Sequence, residues 1–140
     1  MQQKEIIEKL KAYFQKFDEV LCVYVFGSLA SSKANPTSDI NIAALLAPSF
    51  SKEKFFDFRL TRISELSSLL RREVDLVIFN EAPTVLAYQI LKHGIRIYEK
   101  DDRADRSFEA KALMEYFDFL PYRKRCEDAM VKHLKESSEI

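Results

Sequence analysis

"VLCVYVFGSLASSKANPTSDINIAALL", residues 20–46, decides how the chain is read. Its first seven residues are continuously apolar and rich in β-branched and aromatic side chains, the pattern of a strand buried on both faces. Gly27-Ser28 ends that run, and a polar stretch, "SSKANPTS", follows with an Asn-Pro turn signal. Apolar residues resume from Asp39 to Leu46. Ile40, Ile42 and Ala44 fall on one face and Asp39 and Asn41 on the other, which predicts a second strand. Gly27 is one of 2 glycines in 140 residues, about a fifth of the usual ~7%. Where glycine is that scarce, each one answers a backbone need. Here the need is a sharp turn at which the main chain can approach a ligand.

Working outward, Ile6, Leu10, Phe14 and Phe17 recur at helical spacing and predict an amphipathic helix before the first strand. Pro48 and Ser51 mark the end of the second strand and the start of another helix, with Phe56, Leu60, Ile63, Leu66 and Leu70 as its apolar stripe. "EVDLVIF" (73–79) predicts a third strand and "IRIY" (95–98) a short final one. Between them, Pro83 suits the first turn of a helix over 83–93, and Gly94 the position just past its end. From Asp101 the spacing is helical again through Phe108, Ala112, Tyr116 and Leu120, then Cys126, Met130 and Leu134. Pro121 is expected to kink or split that segment. The order implies an α+β (α/β) fold, a small mixed β-sheet with flanking helices. Residues 1–100 are expected to form the domain and 101–140 a C-terminal helical extension packed on it.

Composition narrows the function. Apolar residues make up 47% and charged ones 31%, ordinary for a soluble globular chain. Lys plus Arg equals Asp plus Glu, 22 each, so no net field draws the chain to nucleic acid or a membrane surface. Cys22 and Cys126 lack metal-ligand spacing, and Cys22 reads as a buried thiol. "MQQKEIIEKLKAYF" is charged and amphipathic rather than a secretion signal. The longest apolar run, Val20 to Phe26, is too short to span a bilayer. The expectation is a cytoplasmic, reduced protein with neither membrane nor direct nucleic-acid partners.

The chemistry-bearing residues converge on the opening stretch. Gly27 lets the backbone turn beside a ligand, and Ser28 with the following N–H groups can grip a triphosphate, especially if a helical turn starts there. Positions 39 and 41 point the same way, and carboxylates so placed share a hard divalent cation. Asp75, on the third strand, could complete that site or take a proton from an attacking hydroxyl. Alternatively, Asp75 forms a structural ion pair with Arg71 or Arg72. His93 reads as a helix C-terminal residue and His133 as solvated. "RREVD" and "YRKRCED" mix both signs and read as solvated faces. The tail aromatics Phe108, Tyr116, Phe117, Phe119 and Tyr122 are numerous enough that some should form a partner surface.

Gly27-Ser28, then Asp39-Ile40-Asn41, with Asp75 on a later strand, resembles the Gly-Ser, Asp-x-Asp, third-Asp pattern of the polymerase β-type nucleotidyltransferases. The small size resembles the minimal nucleotidyltransferases of the MntA type, adenylyltransferase antitoxins paired with HEPN-domain RNase toxins (HepT). The likeness extends to "REVDLVIFNEAPTVLAYQILKHGIRIYEKD" and to "SFEAKALMEYFDFLPYRKR", with its Tyr116-Asp118-Pro121 arrangement. The resemblance implies a polymerase β-type nucleotidyltransferase fold, ATP as substrate and Mg²⁺ as cofactor. It implies Gly27 and Ser28 as nucleotide-binding residues, and Asp39, Asn41 and Asp75 as the catalytic and metal-ligand positions. The implied partner is a HEPN toxin, with assembly as a homo- or hetero-oligomer left open.

Two positions depart from the pattern. Asn41 stands where the family has its second Asp, and Ser31-Ser32 where it often has Arg-Gly. Natural divergence accounts for both; an engineered Asp-to-Asn change accounts only for the first. An amide oxygen still donates to a cation but without charge, so metal binding and adenylyl transfer to a toxin tyrosine are expected to be attenuated. The alternative is a catalytically inactive module that neutralises a HEPN toxin by direct contact.

Overall fold

The strands and helices form where the apolar runs place them. The computed structural model describes residues 2–30, 38–100 and 102–138; Ser31-Ser32 lie outside these. In chain order they are α1 (Gln3–Phe14), β1 (Val20–Phe26), β2 (Ile40–Leu46), α2 (Phe55–Leu70), β3 (Val74–Ile78), α3 (Thr84–His93), β4 (Ile95–Glu99) and α4 (Asp102–Ser138). The sheet order is β3-β2-β1-β4. β1 runs antiparallel to both β2 and β4, and β2 runs parallel to β3, so the sheet is mixed as expected.

Apart from Asn41 near the start of β2, the two central strands are apolar because helices cover both faces of the sheet. On one face, Val23, Val25, Ile42, Ala44, Leu76 and Ile78 pack with Ile6, Leu10 and Phe14 of α1 and with Phe55, Phe58, Leu66 and Leu70 of α2. On the other, Cys22, Tyr24, Ala43 and Leu45 pack with Ala87 and Ile90 of α3 and Ala112 of α4. β3 is an edge strand, and its burial alternates, which leaves Asp75 outside the core. A parallel pair needs a long crossover, and α2 supplies the one between β2 and β3. At the far end of β2, the Asn80 amide donates to the Leu46 carbonyl and accepts from its N–H, both at 2.8 Å, standing in for a missing ladder partner.

Two expectations are corrected. The buried stripe of α2 begins at Phe55 and Phe58, while Phe56 and Leu60 are 64% and 47% exposed. Ring contacts of Phe50 with Phe55 and Phe58, at 6.0 and 5.6 Å, set the rotation of the helix start; Leu66 and Leu70 then fall on the same face. Pro121 does not split α4, which runs on as one helix. Its neighbours are exposed, so water can satisfy the carbonyl that a proline leaves without its N–H partner. No helix among the described residues is long and apolar enough to cross a membrane.

α1 and α2 are also joined by a polar clamp, in which the buried Tyr13 hydroxyl donates to Glu65 Oε2 at 2.6 Å. Burial first, and then this hydrogen bond, push the Tyr13 hydroxyl up from its ordinary value of 10.0. The same bond holds the Glu65 carboxyl below its ordinary range. A tyrosine raised in the folded state adds stability that is intact below its unfolded value and declines as pH rises beyond it. Thermal melts should therefore show wild-type stability falling above pH 10, and Tyr13→Phe should flatten that decline. An equally steep alkaline loss in Tyr13→Phe would remove Tyr13 as its source.

Candidate functional site

Gly27 follows the extended Phe26 with φ +76°, a conformation that side chains with a Cβ rarely adopt. A single 3-10 turn over Gly27–Leu29 begins there, closed by the Ala30 N–H donating to the Gly27 carbonyl at 3.2 Å. Leu29 anchors the turn in the core, and the Gln3 side-chain amide of α1 donates to the Leu29 carbonyl. A Cβ on Gly27 would sit 2.7 Å from Asn41 Nδ2. The glycine therefore serves two needs: the positive φ, and room for the side chain at position 41.

Register supplies the rest. Asn41 lies opposite Phe26 in the β1–β2 pairing and opposite Asp75 in the β2–β3 pairing. Neighbours across a ladder project to one side of the sheet, so Asn41 and Asp75 share the face that α3 and α4 cover further along. Asp39 lies just before β2 and is exposed. Its approach is fixed on both flanks. The Ile40 N–H donates to the Glu73 carbonyl at 2.9 Å, and Arg72 Nε donates to the Ser38 carbonyl at 3.1 Å. Gly27, Ser28, Asp39, Asn41 and Asp75 thus gather where β1 ends and β2 and β3 begin.

The arginine at Asp75 is neither of the two expected from sequence. Arg59 of α2 reaches the edge strand, donating through Nη2 to Asp75 Oδ1 at 3.1 Å and through Nε to the Leu76 carbonyl at 2.6 Å. Arg72 is turned to Ser38, and Arg71 ends α2 in the left-handed conformation, φ 53°. The Arg59–Asp75 side chains are 39% and 54% exposed, so their pairing adds only ~0–1 kcal/mol of stability. Its effect is to orient the carboxylate.

A cleft of about 510 Å³ opens beside this corner, lined by Phe26, Gly27, Ala30, Gln89 and His93. Neither Gln89 nor the position of His93 on a cleft wall was read from the sequence, since helix spacing alone does not say which strand end a helix abuts. A larger cleft of about 940 Å³ lies near the β4 edge, lined by residues such as Lys11, Tyr88, Arg96 and Phe117. It borders none of the residues gathered at the Gly27 corner, whereas the smaller cleft is bordered by Gly27 itself.

Residues 8–103 match the family model for polymerase beta, nucleotidyltransferase. The chain belongs to this family. Among known relatives, protein adenylyltransferase MntA of Shewanella oneidensis (strain MR-1) is 28% identical over 116 residues, 83% of this chain and 80% of that protein. A solved toxin–antitoxin complex with AMP-PNP contains a chain that superposes with a TM-score of 0.73 at 26% identity, covering 94% of this chain and 99% of that one. A complex of a tri-AMPylated Shewanella oneidensis HEPN toxin with its MNT antitoxin gives 0.73 at 24% identity, over 93% and 99% of the two chains; at that identity the likeness bears on the fold.

The residues at this corner bear on the divalent cation that the family's chemistry uses. Asp39, Asn41 and Asp75 all offer oxygen, the donor a hard cation prefers, and stand at one corner of the sheet. In charge the fit is weak: Asn41 is neutral, and Asp75 already pairs with Arg59. Among the described residues, no group of three or more His, Cys, Asp or Glu side chains is placed to hold a metal ion. The corner thus offers oxygen donors of the type a divalent cation takes, with two carboxylates and one amide among them.

The contact at Gly27 generates a prediction. Gly27→Ala should lower stability by about 1–3 kcal/mol in urea denaturation, from the positive φ and the collision with Asn41 together. In an Asn41→Ala background the cost should shrink to the backbone part, about 1–2 kcal/mol. An identical cost in both backgrounds would mean that the side chain at position 41 does not press on the turn.

Proposed function

We propose that this chain is an MntA-like antitoxin that transfers AMP from ATP–Mg²⁺ to a tyrosine hydroxyl of a HEPN RNase toxin, with activity attenuated by Asn41. The observation that carries the reading is the corner itself: a positive-φ glycine turn packed on the residue that pairs in register with Asp75. The adenylyltransferase relative and the antitoxin likeness support the same direction.

In this reading, Gly27 and Ser28 hold the triphosphate, and Asp39, Asn41 and Asp75 hold Mg²⁺. The bound cation supplies charge neutralisation on the phosphate oxygens. The toxin hydroxyl oxygen forms a bond to the α-phosphorus while the bond to the β-phosphate oxygen breaks and pyrophosphate leaves. In this reading Asp75 takes the hydroxyl proton, with Arg59 donating to its Oδ1. Asn41 contributes an oxygen without charge. Loss of an outer partner of a metal site already costs about 10–100-fold in affinity or activity, and loss of a direct carboxylate costs at least that.

With labelled ATP, Mg²⁺ and the cognate toxin, the wild-type chain should label the toxin slowly. Asn41→Asp should label it at least about tenfold faster. Equal rates would defeat the argument about position 41, and absence of label with both would defeat the adenylyl-transfer reading. A second reading is favoured by one observation. Residues 117–135 of α4 are exposed throughout and include Phe117, Leu120, Met130 and Leu134. Such a surface suits neutralisation by contact, with the nucleotide site vestigial. RNase inhibition that is complete without ATP would establish contact as sufficient, and inhibition that requires ATP would exclude it.

A further inference from the structure

Gly27 borders the small cleft directly, on the strand side, and Gly94 fixes the end of the helix that forms its other wall. Gly94 ends α3, where a Cβ would lie 2.5 Å from the Ile90 carbonyl oxygen and 3.2 Å from that of Val25. The absence of a Cβ lets the end of α3 press against β1 one residue before Phe26. That contact carries Gln89 and His93, four apart and therefore on one helix face, to the wall beside Gly27 and Ala30. Gln89 and His93 are exposed and Phe26 is half-buried.

The lining has a particular chemistry. Among the described residues bordering the cleft there is no carboxylate, lysine or arginine. It presents two flat rings, Phe26 and His93, and one amide, Gln89. Phosphates call for cations or converging N–H groups, whereas a nucleobase calls for flat apolar faces and a donor–acceptor pair at its edge. A glutamine amide pairs in bidentate fashion with the N6 donor and N7 acceptor of adenine; guanine presents two acceptors there and suits arginine instead.

Resting on the nucleotidyltransferase reading of the Gly27 corner, we infer that this cleft is the base pocket, that Phe26 and His93 stack the base, and that Gln89 selects adenine over guanine. The triphosphate then runs from the cleft across Gly27 toward Asp39, Asn41 and Asp75. Position 89 sets the base and position 41 sets the metal, and the two are separable by mutation.

The test is titration of the full-length chain with ATP, GTP and inorganic tripolyphosphate in the presence of Mg²⁺. Wild type should prefer ATP over GTP. Gln89→Leu should reduce that preference by about ten- to a hundredfold while leaving tripolyphosphate affinity unchanged. Gln89→Arg should move the ATP:GTP ratio toward GTP, a gain that a misfolded variant cannot produce. Wild type that binds both nucleotides equally, or a ratio unmoved by both substitutions, overturns the assignment of Gln89 and leaves adenylyl transfer standing. Loss of tripolyphosphate along with ATP in Gln89→Leu places α3 against the phosphates and overturns the base pocket. A wild-type chain that binds none of the three removes the nucleotide reading and this inference with it.

Discussion

β2 pairs with β1 on one side and β3 on the other, and at residue 41 those two pairings meet where the apolar core stops. Because β1–β2 is antiparallel, the residue facing Asn41 is the last of β1, so the Gly27 turn falls directly beside it. Because β2–β3 is parallel, the residue on its other side is Asp75, near the start of β3. A one-residue slip in either ladder would turn Asn41 into the core in place of Ile40 and Ile42, and would bury a polar side chain without a partner. The apolar alternation that holds the core is thus the same constraint that holds the site. The parallel pair also requires a crossover, and the crossover helix α2 brings Arg59 to the edge strand. A nearby loop arginine does not take that place.

The site is built from close backbone approaches more than from strong polar bonds. Its ionic contact is half-exposed and contributes little to stability. What fixes it is space: Gly27 leaves room for position 41, and Gly94 leaves room for α3 against β1. In each case a methyl group would displace a neighbour. The remaining turns use residues with a Cβ, and Arg71 takes the left-handed conformation at the end of α2, where glycine is commoner. The two glycines of the chain stand at positions where another chain segment approaches the space of a Cβ.

The sequence carries the core of this architecture because period-two and helical spacing report burial directly. β1 and β2 are legible as apolar runs, and Ile6, Leu10 and Phe14 fall where their spacing places them. Gly27, Ser28, Asp39, Asn41 and Asp75 are legible together because they resemble a family pattern; none of them would be decisive alone. What spacing does not carry is rotation and reach. Phe55 and Phe56 are adjacent phenylalanines, and only the contact with Phe50 decides which one is buried. Arg59 is 16 residues from Asp75, while Arg71 and Arg72 are close in sequence but turned elsewhere. Gln89 and His93 depend on how α3 lies across the end of β1, a tertiary fact without a local signal.

The amide at position 41 can be weighed against the carboxylate that the family pattern has there. Adjacent strands are ~4.8 Å apart, so a carboxylate at 41 would stand beside that of Asp75. At that distance two like charges repel by roughly 1–3 kcal/mol for effective dielectric constants between 80 and 20. A cation bound between them reverses the sign of that term; without one, the protein bears it in full. Asn41 removes the repulsion, and Arg59 supplies Asp75 with a positive neighbour that needs no metal. The Asp75 carboxylate is therefore paired within the chain itself, whereas a carboxylate at position 41 would add a like charge beside it. Metal dependence and apo stability pull this one position in opposite directions, and the amide lies on the side of apo stability. An acid restored at position 41 should accordingly make the stability of the fold respond to Mg²⁺ far more than the present chain does.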